Sequence, residues 1–116
     1  MSVRIYHNSR CSKSRGTLEL LQARGIEPEV VNYLDTPPSA DELRNLLRML
    51  GMTPRQLLRT GEAEYAELRL ADPAIDDEAI LQAMTAHPKL IERPIVVANG
   101  KAAIGRPPEA VLAILS

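Results

Sequence analysis

Val3-Arg4-Ile5-Tyr6-His7-Asn8-Ser9-Arg10-Cys11-Ser12-Lys13-Ser14-Arg15 changes its period part-way along. Val3 and Ile5 alternate with Arg4, and Tyr6 lies beyond, which is the pattern of a short strand. A polar turn follows. From Ser12 the spacing is helical, with Leu18, Leu20 and Leu21 before Gly25. The chain's one cysteine, Cys11, therefore falls at a strand-to-helix junction. A thiol there faces unpaired backbone N–H groups and the positive end of the helix dipole, and both favour thiolate over thiol. Arg10, Lys13 and Arg15 add positive charge, and no carboxylate occurs before Glu19. A lone free cysteine is commonly a small buried hydrophobe. Here every neighbour from Asn8 to Arg15 is polar or charged, which suits a reactive thiolate that meets an anion.

Composition sets the outer bounds. With 116 residues, 45% hydrophobic and 25% charged, the chain has the make-up of one soluble globular domain. It contains neither tryptophan nor phenylalanine, so the core must come from Leu, Ile, Val, Ala and Met. A single cysteine excludes an internal disulfide and any cysteine-cluster metal site, and it fits a reducing cytoplasm. No leader-like opening or membrane-length apolar run is present. A net charge of −1 with both signs dispersed argues against a nucleic-acid or membrane surface. Eleven of the 14 cations are arginine, whose planar fork suits oxyanions.

Working outward, Glu29-Val30-Val31-Asn32-Tyr33 reads as a second strand, giving a βαβ unit with parallel strands. Ser39 and Glu42 form a capping box ahead of the stripe Leu43, Leu46, Leu47, Leu50. Thr53-Pro54 with Gln56 starts a shorter helix expected to run through Leu57 and Leu58 to Gly61. A weakly patterned helix follows over 62–70, and Asp76 caps another that His87-Pro88 stops. Near the end, Ile95-Val96-Val97-Ala98 and Lys101-Ala102-Ala103-Ile104 flank Asn99-Gly100, a strong hairpin signal. A last helix carries Val111, Leu112 and Leu115. The order is βαβ, a helical stretch, then ββα. The fold class is α/β, a thioredoxin-like plan with a mixed sheet of about four strands and an all-helical insertion. The whole, 1–116, reads as a single domain with its insert at about 39–90.

Cys11-Ser12-Lys13-Ser14 has the spacing of the redox motif C-x-x-C with serine in the second position. A chain with one cysteine cannot resolve its own mixed disulfide and must borrow a thiol from another molecule. The phosphatase pattern C-x5-R is absent, because Thr17 stands at the sixth position after Cys11.

Five separated motifs carry a family resemblance. Y-H-N-x-x-C-x-x-S-R at Tyr6 to Arg15, Y-L-D-T-P-P at Tyr33 to Pro38, L-L-R at Leu57 to Arg59, R-P-I-V-V at Arg93 to Val97 and G-R-P at Gly105 to Pro107 resemble the glutathione/glutaredoxin-coupled arsenate reductase (ArsC) family. The resemblance implies that Cys11 attacks arsenate while Arg59, Arg93 and Arg106 hold the oxyanion. It implies that His7 and Ser14 support the thiolate, with Asn8, Ser12 and Arg15 in the same motif, and that Pro94 is the cis proline beside the thiol. Glutathione would be co-substrate and glutaredoxin the partner, with no bound cofactor and no metal. Longer members of that family continue past the final helix.

Two rival functions share these features. A glutathione-dependent thiol oxidoreductase acting on mixed disulfides needs Cys11 but not the three arginines. An Spx-like transcription regulator senses redox state through C-x-x-C, and Ser14 lacks that second thiol.

Overall fold

The computed structural model describes residues 2–115. Its elements are β1 (Val3–His7), α1 (Ser12–Ala23), β2 (Glu29–Asn32), α2 (Ala40–Leu50), α3 (Pro54–Leu57), α4 (Ala63–Glu67), α5 (Asp77–Ala86), a 3-10 turn Pro88–Leu90, β3 (Ile95–Ala98), β4 (Lys101–Ile104) and a closing 3-10 helix Pro108–Ile114. They gather into two units, residues up to 36 with those from 93 onward, and residues 37–92.

The first unit is a four-stranded mixed sheet in the order β2-β1-β3-β4, a thioredoxin-like arrangement. β1 runs parallel to β2 and antiparallel to β3, and β3 and β4 form the hairpin. Asn99 and Gly100 both take positive φ, 57° and 73°, as a type I′ turn requires. The Asn99 side-chain amide also donates to the Ile114 carbonyl at 3.0 Å, tying the turn to the closing 3-10 helix. Cross-strand pairs explain why β1 is central. Val3 lies opposite Ala98 and Ile5 opposite Val96. With Leu21 of α1 and Val111 and Ile114 of the 3-10 helix they form one buried cluster. Each Val, Leu or Ile side chain among them contributes roughly 1.5–3 kcal/mol on full burial. Residues of the last helix are not α-helical as the sequence suggested. Val111 and Ile114 are three apart, and a turn of three residues stacks them on one line, so both reach the core.

The second unit is helical and built on leucine. Leu43, Leu46 and Leu47 of α2 and Ile80, Leu81 and Met84 of α5 are buried. Ser39 caps α2 by accepting from the Glu42 N–H, and Asp76 caps α5 by accepting from the Ala79 N–H. A complete capping box joins Thr53 and Gln56 at α3. Arg44 of α2 reaches Glu78 of α5 at 2.6 Å and also pairs with Asp41. Arg55 donates to the carbonyls of Leu70, Asp72 and Ile75, pinning the loop between α4 and α5.

One expectation fails in this unit. α3 stops at Leu57 rather than running to Gly61. Leu58 turns extended and forms an isolated antiparallel bridge with Ile91. The Arg59 N–H donates to the Leu90 carbonyl at 2.7 Å and the Glu92 N–H to the Leu57 carbonyl at 2.9 Å. That long-range pairing overrides the weak helical preference of a segment ending in Thr60-Gly61. Among the described residues no helix is long and apolar enough to cross a membrane.

Candidate active site

Cys11 is the N-cap of α1, with extended backbone (φ −96°, ψ 123°). The chain reaches it by a tight turn in which the Cys11 N–H donates to the Asn8 carbonyl at 3.0 Å. Its sulfur is half-buried and forms no disulfide. Burial pushes the thiol pKa up, but the N–H groups of Ser14 and Lys13 and the guanidinium of Arg93 more than offset this. The net shift is downward, toward thiolate. No cap hydrogen bond of regular geometry closes from the sulfur. The two amides act as the positive end of the helix facing a partial anion.

Two arginines come from the far end of the chain. Arg106 Nη2 lies 3.5 Å from Cys11 Sγ, within reach of a hydrogen bond to sulfur. Its Nε donates at 2.8 Å to the carbonyl of Arg93, so the two residues are fixed to each other. The Arg93–Pro94 and Arg106–Pro107 peptide bonds are both cis. Pro94 is buried, and the Gly105 N–H donates to its carbonyl at 2.9 Å. Gly105 has to be glycine. A Cβ there would collide with Thr17 Oγ1 of α1 and sit 2.8 Å from the Pro94 ring. Thr17 is fully buried and donates to the Lys13 carbonyl, so α1, Gly105 and the Pro94 peptide meet in one tightly packed spot.

The supporting residues divide by role. Ser14 is buried, and its hydroxyl accepts from the Asn8 N–H at 3.3 Å, bracing the turn that presents Cys11. Asn8 Oδ1 accepts from the Arg10 N–H at 3.0 Å, and Arg15 Nη1 donates to the Ser9 carbonyl at 3.0 Å. Asn8 and Arg15 thus act on the loop rather than on the sulfur. Ser12 is exposed and makes no side-chain hydrogen bond among the described residues. His7 ends β1, is 6% exposed, and its Nδ1 has no hydrogen-bond partner among the described residues. Burial first, then the Arg15 charge, lowers its pKa and keeps the imidazole neutral near pH 7.

Arg59 belongs to the helical unit. Its Nη1 is 2.6 Å from Glu92 Oε1 and its Nε is 3.4 Å from Glu62 Oε1, with all three side chains about a quarter exposed. The bridge between Leu58 and Ile91 is what places Arg59 beside Glu92. Both carboxylates escaped the sequence reading. Glu62 stood three residues along at helical spacing, but Glu92 carried no signal, because its partner lies 33 residues away. No cluster of three or more His, Cys, Asp or Glu able to hold a metal ion occurs among the described residues.

The profile of the ArsC family matches residues 6–114. The chain belongs to the ArsC family. Among relatives, it is 62% identical over 114 residues to the uncharacterized protein YfgD of Escherichia coli K12, covering 97% of this chain and 96% of that one. It is 52% identical to the arsenate reductase of Neisseria meningitidis serogroup A, covering 97% of each chain. The structure superposes on that of the arsenate reductase from Vibrio cholerae with a TM-score of 0.97 at 56% identity, over 99% of this chain and 98% of the other. The strand-turn-helix around Cys11 and the cis Arg93–Pro94 peptide both belong to the sheet unit.

Proposed function

We propose that this chain is an arsenate reductase that forms arsenite in the cytoplasm, taking electrons from glutathione and then glutaredoxin. The observation that carries the reading is the placement of Arg106 Nη2 at 3.5 Å from a half-buried Cys11 Sγ whose pKa is lowered. A thiolate and an arginine side by side are what a nucleophile needs to approach an anion. That relatives at 52–56% identity are named arsenate reductase supports arsenate as the substrate.

In this reading Cys11 is the nucleophile, and Arg59, Arg93 and Arg106 hold the oxyanion and offset charge that would repel the thiolate. The Cys11 sulfur bonds to arsenic(V) and hydroxide leaves. A glutathione thiol then attacks. An S–S bond forms between glutathione and Cys11, the S–As bond breaks, and its electron pair stays on arsenic, which becomes arsenic(III). The thiol proton passes to an arsenite oxygen. A glutaredoxin thiolate cleaves the mixed disulfide and releases Cys11 as thiolate, a step that this one-cysteine chain cannot perform on itself. Ser14 and Asn8 shape the turn, Arg15 fixes the Ser9 carbonyl, His7 and Ser12 belong to the same motif, and Pro94 lines the thiol's side of the sheet. Residues 1–116 act as one ArsC-type domain with a helical insert.

The test is a coupled assay with arsenate, glutathione, glutaredoxin, glutathione reductase and NADPH. The proposal expects NADPH oxidation that requires arsenate and yields arsenite. Turnover of a glutathionylated peptide with no arsenate-dependent rate would instead establish the mixed-disulfide chemistry.

A further inference from the structure

β1 and β2 are parallel, and His7 pairs in register with Asn32 at their carboxyl ends. Beyond those ends the chain leaves in two loops, and between them lies a cleft of about 290 Å³ lined by His7, Asn8, Ser9, Arg10, Asn32, Leu34 and Asp35. Neither Cys11 nor Arg93 nor Arg106 is in its wall, so it adjoins the thiol site without being that site. The crevice outside the carboxyl ends of parallel strands is where ligands commonly bind in α/β sheets.

Its lining has a particular chemistry. Arg10 stands on one loop and Asp35 on the other, both exposed, and neither forms an ion pair among the described residues. The Arg10 backbone is held by the Asn8 side chain and the Asp35 backbone by the Asn32 carbonyl, so the two charges project from braced loops. At the base, His7 is 94% buried with its Nδ1 lacking a partner, an open polar valence in a place where such groups are normally satisfied. Opposite charges on the two loops that line one cleft, with an imidazole and two side-chain amides also in its wall, fit a zwitterion.

We propose that this cleft binds the α-amino-acid end of the reducing peptide thiol. Arg10 takes its carboxylate and Asp35 its ammonium. The volume is at the lower edge of small-molecule sites, roughly 300–1,000 Å³, so the cleft holds one end of a tripeptide and leaves its sulfur outside, toward the Cys11 turn. This deepens the reductase reading and rests on it only for the identity of the thiol.

The test separates the two claims by using a probe that cannot react. S-methylglutathione is titrated into the full chain by calorimetry, with Arg10→Ala, Asp35→Asn and the des-amino analogue of the probe as comparisons. The proposal expects saturable binding, weakened about five- to tenfold by either substitution and by loss of the α-amino group, as for charge-assisted contacts that are partly exposed. In turnover, KM for glutathione rises in both variants, while the rate of Asp35→Asn with 2-mercaptoethanol, which has no amino-acid end, matches the parent. Equal affinity in parent and variants, or no binding, overturns the subsite even if arsenate is reduced. Binding that depends on Arg10 and Asp35 without arsenate turnover upholds the subsite and removes the arsenate reading.

Discussion

Arg106 and Arg59 show how differently the two units handle the same side chain. In the sheet unit, Arg106 points one nitrogen at the Cys11 sulfur and another at the Arg93 carbonyl. In the helical unit, Arg59 is held between Glu92 and Glu62. Arg106 meets a thiol that is easily driven to thiolate, and Arg59 meets carboxylates that already balance its charge. On the proposed reading, an oxyanion that draws on Arg59 has to compete with the Glu92 and Glu62 carboxylates for it. Two arginines that look equivalent in sequence sit in unlike surroundings.

Removal of the sulfur should matter most. Cys11→Ser should abolish arsenate-dependent NADPH oxidation, since no other thiol exists. Its melting temperature should stay near the parent's, because the half-buried Cys11 is not among the residues of the buried core cluster. Residual turnover above trace would move the nucleophile elsewhere.

Next in size are the arginines themselves. Arg106→Ala should cost about 2–4 kcal/mol in kcat/KM, the scale for removing one oxyanion donor, and should raise the pH at which Cys11 alkylation by iodoacetamide reaches half its plateau. Arg59→Ala should lower kcat/KM by less and leave that pH where it was. Lysine should rescue either only in part, because it keeps charge without the fork. Equal effects of Arg59→Ala and Arg106→Ala on both readouts would mean that the two side chains serve the site alike.

A smaller contrast concerns glycine. Gly105→Ala should destabilise by about 1–3 kcal/mol by overpacking, since its Cβ meets Thr17 and Pro94. Gly61→Ala in the helical unit has nothing within 4 Å of the new carbon. It should be neutral or stabilising by up to about 1 kcal/mol through the unfolded chain. Chemical denaturation of both variants gives the comparison directly.

The smallest effect belongs to His7. Its pKa is lowered in the folded chain, by burial and then by Arg15. Between the folded value and the unfolded one, near 6.5, the unfolded chain binds the extra proton, so stability falls as pH drops below about 6.5. His7→Gln should flatten that slope between pH 7 and the folded pKa; an unchanged slope would assign it to other groups.

What the sequence made legible was local. The change of period between Ile5 and Ser12 places the strand, turn and helix around Cys11, and Asn99-Gly100 places the hairpin, because turn chemistry and side-chain spacing act over a few residues. The bridge from Leu58 to Ile91 leaves no such trace, and with it went the end of α3 and the pairing of Arg59 with Glu92. The 3-10 geometry of the closing helix was hidden because Val111 and Leu115 fit an α spacing as well as Val111 and Ile114 fit a tighter one. Arg106 lies 95 residues from Cys11, and only the family resemblance pointed to it. The parallel pairing of β1 and β2 was readable from the βαβ order, but not that Arg10 and Asp35 would line one cleft beyond those strands.

The most direct test of the central claim is a single turnover without glutaredoxin. Protein incubated with arsenate and excess glutathione is analysed by mass spectrometry, and arsenite is measured in the same sample. One glutathionyl group should appear on Cys11 for each arsenite formed, with both lost in Cys11→Ser. Arsenite formed while Cys11 stays unmodified, or Cys11 glutathionylated to the same extent with no arsenate present, would contradict it.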